Sequence, residues 1–151
     1  MPRAVRRLLP AVALVSGCVF GAQLTPEEIR ARGTRHFDAP PDKVFTAAIS
    51  ALQSQGYEIA VAEPDKGILR TARKLVRAAA TGGAGYAQAV AITRQYHLTV
   101  KADGEGTKVV ARPKVFQGDA DLSDGSVWQL DCAAGERTLW DRLFREIQEL
   151  L

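Results

Sequence analysis

An α+β domain, with an antiparallel sheet carrying two helices on one face, is the fold class this 151-residue sequence predicts. Three observations lead there. Two stretches, 42–55 and 136–151, carry apolar residues at helical spacing. Several stretches between them alternate apolar and polar residues with a period of two. The turns joining those stretches are short, which favours antiparallel neighbours. One-faced helices must cover a sheet, so both helices belong on one side and the other face should be more polar. The expected order is β-α-β-β-β-β-α, a single domain over 34–151.

Each element has its local reason. Thr25, Pro26, Glu27 and Glu28 read as a helix start: a capping hydroxyl, a proline at the first helical position, acids in the first turn. One or two helical turns should follow and end near Gly33. A strand over 34–39 leads to Pro40, Pro41 and Asp42. The next helix buries Val44, Phe45, Ala48, Ile49 and Leu52 on one stripe, and Gly56 stands where a left-handed cap belongs. Residues 57–62 alternate as a strand, 63–67 turn the chain, and 68–77 return as a second strand. Residues 78–87, AAATGGAGYA, lack periodicity and read as a flexible hairpin loop. Val90, Ile92, Tyr96, Leu98 and Val100 then alternate inward along a long strand. Gly104, Glu105 and Gly106 turn it into a partner over 107–116, where Pro113 marks an edge position or a bulge. Residues 117–126 are acidic and turn-like. The closing helix over 136–151 carries Leu139, Trp140, Leu143, Phe144, Ile147, Leu150 and Leu151 as its apolar set.

Composition is that of a globular chain: 46% hydrophobic and 25% charged, enough apolar material to build a core. The formal charge of +3 is misleading as a guide to partners. Three of the 20 basic residues, Arg3, Arg6 and Arg7, lie in the first 17 positions, and the remaining 17 equal the 17 acidic residues. The body is neutral, so charge gives no argument for a nucleic-acid partner.

The first 17 residues read as a leader. The three arginines precede a short apolar run, Leu8 to Val15, then Ser16, Gly17 and Cys18. About eight apolar residues span about 12 Å as a helix, well short of the roughly 20 residues a bilayer requires. The pattern is that of a secretory signal with small residues at a cleavage point. Val15-Ser16-Gly17-Cys18 resembles the lipobox of bacterial lipoproteins. That resemblance implies a diacylglyceryl thioether on Cys18, cleavage just before it, and acylation of the new amino terminus. Two or three acyl chains anchor a protein stably where one does not. Val19 stands where an aspartate would resemble an inner-membrane retention signal, which favours the periplasmic face of the outer membrane. An ordinary cleaved signal and an uncleaved anchor are the alternatives. Residues 18–33 then form a lipidated tether.

Residues 37–74, FDAPPDKVFTAAISALQSQGYEIAVAEPDKGILRTARK, resemble the repeated unit of small envelope lipoproteins, among them BamC-like helix-grip domains. The resemblance implies a helix-grip fold and fits an accessory module in envelope assembly. Its hallmarks, Ala48 and Leu52 on the helix, Gly56-Tyr57, and Asp65-Lys66-Gly67, are packing and turn residues and carry no binding site.

Chemistry-bearing motifs are few. His36 and His97 fall in expected strands without ligand partners at metal spacing, and His97 should face opposite Tyr96. Cys132 is the only thiol left once Cys18 is lipidated, and burial is its expected fate. Residues 119–125 resemble a calcium loop but place Asp124 and Leu130 where an EF-hand needs glycine and glutamate. Residues 81–85 lack the lysine and hydroxyl of a phosphate-binding loop. No metal, cofactor or catalytic residue is therefore assigned. Arg70, Arg73, Lys74 and Arg77 form the one local basic cluster, either a solvated strand face or a contact for anionic headgroups or an acidic partner. Trp128 is a second candidate partner contact. The expectation is a non-enzymatic, outer-membrane-anchored periplasmic lipoprotein that binds a protein partner in envelope assembly. The alternative is a small-ligand or lipid-binding module that uses the sheet face beneath the helices, with the glycine-rich loop as a lid.

Overall fold

The computed structural model describes residues 25–81, 88–121, 123 and 140–151. Residues 1–24 with Cys18, residues 82–87, Trp128, Cys132 and the first part of the last expected helix, 136–139 with Leu139, lie outside the described residues.

Three helices and a seven-stranded, wholly antiparallel sheet make up the described chain. The helices are α1 (Pro26–Arg32), α2 (Pro41–Ser54) and α3 (Asp141–Glu149). The strands are β1 (Thr34–Phe37), β2 (Ile59–Glu63), β3 (Ile68–Thr71), β4 (Lys74–Thr81), β5 (Gln88–Asp103), β6 (Gly106–Gln117) and β7 (Ala120–Asp121). Strands run across the sheet in the order β1-β6-β5-β3-β2. β4 continues along β5 beyond β3, and β7 lies along β6 beyond β1. The predicted α+β class, with an antiparallel sheet under two helices, is what forms.

Alternation along β5 and β6 explains the layering. Tyr96, Leu98 and Val100 on β5, with Val109, Ala111 and Val115 on β6, turn to one face and are buried with α2 and α3. Val44, Ala48, Ala51 and Leu52 of α2 and Leu143, Phe144 and Ile147 of α3 complete that core. Trp140, just ahead of α3, is 2% exposed and donates its indole N–H to the Ala111 carbonyl at 3.1 Å. Two polar side chains are buried with the core. Thr71 accepts from the Tyr96 N–H at 2.9 Å, and Thr107 donates to the Ala39 carbonyl at 2.7 Å. Glu146 of α3 ties the helices together by accepting from Ser54 at 2.7 Å and Gln55 at 2.9 Å at the end of α2. Burial opposes its ionisation, but the hydrogen bonds from Ser54, Arg142 and Gln55 outweigh it and hold the carboxyl below its ordinary range.

Thr25 caps α1 with a reciprocal Glu28 contact, a full capping box. α1 also docks on the domain: Ile29 packs against the core, and the Gly33 carbonyl accepts from the Ala111 N–H at 2.7 Å. Gly56, at φ +76°, follows α2 as the expected left-handed cap. Pro113 sits in a stretch of β6 that lies between its pairings with β1 and β7, so its missing N–H falls where no described strand needs it.

Three expectations need correction. The strand expected over 68–77 is two strands, broken at Ala72 and Arg73. Residues 78–81, expected in a loop, continue β4, because pairing with β5 (Ala78 opposite Ala91, Thr81 opposite Gln88) overrides their weak strand propensity. The last helix ends at Glu149, and Leu150 and Leu151 are 55% and 42% exposed instead of joining its apolar stripe.

Two turn glycines allow a sharp test. Gly67 and Gly104 both adopt φ near +65°, a region that costs a side chain about 1–2 kcal/mol. A Cβ at Gly67 would lie 1.9 Å from the Val100 carbonyl oxygen, whereas one at Gly104 meets nothing within 4 Å. Gly104→Ala should lower unfolding free energy by about 1 kcal/mol. Gly67→Ala should lower it by clearly more, since the backbone itself must move. Urea denaturation of both variants checks the order.

Candidate functional site: a cationic sheet face

The face of the sheet away from the helices is set by the same alternation. Cross-strand register places its side chains in rows. Arg70 on β3, His97 on β5 and Arg112 on β6 form one row. Ile68, Thr99 and Val110 form the next. Lys101 and Lys108 stand directly opposite one another in a third, flanked by His36 on β1. Val61 and Glu63 extend the first two rows onto β2, opposite Arg70 and Ile68. Adjacent rows are two residues apart, about 6.6 Å along the strands. All of these side chains except His36 line an open concavity of about 680 Å³.

Charge on this face is one-sided in an informative way. The acids near it are already engaged: Glu63 with Lys66 at 2.6 Å, Asp103 with His36 at 3.0 Å, and Asp121 with Lys114 at 3.0 Å. Arg70, Lys101, Lys108 and Arg112 have no ion-pair partner among the described residues. Like charges directly opposite on neighbouring strands repel, so the Lys101–Lys108 pair and the Arg70–His97–Arg112 row work against the sheet that carries them. The His97 imidazole registers this: partial burial, then Lys114, then Arg70, lower its pKa below 6.5. Its Nε2 is buried with no hydrogen-bond partner among the described residues. At one end of the face, hydrogen bonds from the Ser123 hydroxyl and backbone N–H and from Lys114 hold Asp121 at about 2.

The basic cluster read from the sequence is dispersed. Arg70 alone joins the concavity. Arg73 lies in the break between β3 and β4, its guanidinium 3.6 Å from the centre of the Phe116 ring and 3.9 Å from Asp119. Lys74 turns to the helix side, donates to the Gln55 carbonyl at the end of α2 and lies 4.9 Å from the Tyr57 ring. For Arg77 only the backbone is described, opposite Ile92. Adjacent residues on a strand face opposite ways and a bulge intervenes, so proximity in sequence did not become a patch. The cations that do gather with Arg70 are Lys101, Lys108 and Arg112, residues the sequence reading left aside. Their signal is the complement of the inward set: odd positions of β5 and even positions of β6. Which of them meet depends on register, which periodicity alone does not give.

Among the described residues, no three of His, Cys, Asp and Glu converge as a metal-binding group. No helix among them is long and apolar enough to cross a membrane. The described interface between helices and sheet is filled by side chains, and the concavity lies on the opposite face.

His97 supplies a test of this electrostatic picture. Its folded-state pKa lies below the unfolded value, so the folded protein binds fewer protons as pH falls through 6.5. The associated stability is fully present above 6.5 and is lost as pH drops from there through the lowered folded value. NMR titration should give a His97 midpoint below 6.5, and Arg70→Gln should raise it by removing a neighbouring cation. An unchanged midpoint in that variant would show that Arg70 does not act on the imidazole. No protein-family model matches this chain, and no curated protein matches it either.

Proposed function

We propose that this chain is an outer-membrane lipoprotein, anchored on the periplasmic side through Cys18, whose domain binds an envelope protein and catalyses no reaction. The anchoring half of the reading rests on the leader: basic residues, a short apolar run, and Val15-Ser16-Gly17 before the cysteine. The binding half is carried by one observation, four cations around one open concavity that have no ion-pair partner among the described residues. A face that accumulates like charge against its own stability is explained by what it meets outside the molecule.

The alternative, a small-ligand or lipid-binding module beneath the helices, needs space there. Leu52, Tyr96, Leu98, Leu143 and Ile147, each no more than 2% exposed, occupy that position instead. The BamC-like likeness of residues 37–74 makes the β-barrel assembly machinery a natural place to look for the partner.

Growing cells with an alkynyl palmitate should label the wild-type protein and leave Cys18→Ser unlabelled; equal labelling of both refutes the anchor. A photo-crosslinking residue replacing Thr99, inside the concavity, should capture an envelope protein in intact cells. The same residue replacing Gln53, exposed on α2, should not. Recovery of barrel-assembly components from the Thr99 position would bear out the BamC-like role.

A further inference from the structure

We infer that the cationic sheet face is a docking site for an extended, acidic segment of a partner polypeptide, one that alternates acid, apolar and acid on every second residue. The inference rests on the protein-binding reading and specifies what that protein must present.

The pattern comes from the order of the rows. Arg70 and Arg112 stand in the first, Ile68 and Val110 in the second, Lys101 and Lys108 in the third. The outer rows lie four residues apart along β5 and β6, about 13 Å. An extended chain running along these strands has the same period, so its side chains at i, i+2 and i+4 fall on successive rows. Carboxylates at i and i+4 would reach the two cationic rows, where arginine offers two parallel N–H donors. The residue at i+2 would rest on the middle row, against Ile68, which is 41% exposed, and Val110 on either side of Thr99. A single phosphate cannot bridge rows 13 Å apart. A bilayer surface presents many charges but is flat, whereas these cations surround a recess of about 680 Å³ crossed by Ile68, Thr99 and Val110. Charge complementarity and row order together favour a polypeptide.

The test uses the mature lipidated protein in phosphatidylcholine nanodiscs and a fluorescein-labelled peptide carrying Glu-Ser-Val-Ser-Glu. Fluorescence anisotropy should show binding that weakens as salt rises. The isomeric peptide Glu-Glu-Val-Ser-Ser should bind several-fold more weakly, because only one of its acids meets a cationic row. Arg70→Gln/Arg112→Gln should weaken the first peptide by roughly tenfold. Lys43→Gln, an exposed cation on α2, should leave it unchanged. Thermal melts of the double variant should match or exceed wild type, since a like-charge row is relieved; loss of binding with folding intact assigns the effect to the face. Equal binding of the two isomers, or no binding of either, overturns the inference. So does displacement of the peptide by phosphatidylglycerol vesicles but not by phosphatidylcholine vesicles, which would make the face a headgroup site. If the peptide fails while crosslinking through Thr99 still captures an envelope protein, the binding function stands and the acidic-segment specification falls.

Discussion

Everything in this domain depends on the two-sided register of β5. Its sixteen residues pair with β3 and β4 along one edge and with β6 along the other. Side chains on a strand alternate with a strict period of two, so the pairing that sends Tyr96, Leu98 and Val100 under the helices also sends His97, Thr99 and Lys101 to the opposite face. A slip of one residue would bury Lys101 beneath α2 and α3 and expose Leu98. Burying an unpaired ammonium is far more unfavourable than any single apolar contact is favourable. Register, core and cationic face are therefore fixed by a single set of pairings.

This coupling explains what could be read from the sequence and what could not. Helix spacing located α2, and the Thr25 box and Gly56 cap bounded elements through interactions within a few residues. Alternation identified the buried half of β5 before any partner strand was known. The strand break at Ala72 and Arg73 and the extension of β4 to Thr81 were not legible, because pairing with β5 decides them and propensity does not. The candidate site suffered most. Arg70, Arg73, Lys74 and Arg77 are neighbours in the chain and part company in space, since alternation and a bulge assign them to different surroundings. Arg70 instead meets Lys101, Lys108 and Arg112, which lie 31 to 42 positions away and come together only through three strands in register. Local chemistry survives translation from sequence to structure; a face assembled across strands does not announce itself.

The arrangement is also energetically lopsided. On the helix side, apolar burial at about 25 cal/mol per Å² and satisfied polar groups such as Thr71 and Thr107 favour the fold. On the other side, Lys101 faces Lys108 and two arginines flank His97, whose pKa burial and neighbouring cations lower. Nearby acids could have neutralised this surface, yet Glu63, Asp103 and Asp121 are held by Lys66, His36 and Lys114. Exposed pairs of that kind contribute little to stability, but each engages a carboxylate that the central cations could otherwise have taken. The domain's surplus stability comes from one face and tolerates strain on the other, a division expected where a surface is shaped by binding.

The proposed anchor changes how strong that binding has to be. From Cys18 to Thr25 the chain can extend at most about 25 Å, so a lipidated protein would hold its domain in a thin layer beside the membrane. Confinement of two partners to such a layer raises their effective concentration towards the millimolar range without any new contact. A short acidic segment meeting four exposed cations gains only modest, salt-sensitive free energy in solution, and on its own would make a weak complex. Within the layer that weakness becomes workable: encounter is frequent, release is fast, and the charges choose the partner and its orientation more than they set the affinity. A body of balanced charge that gathers Arg70, Lys101, Lys108 and Arg112 on one sheet face suits this regime, because the charges that meet the partner are concentrated at one place.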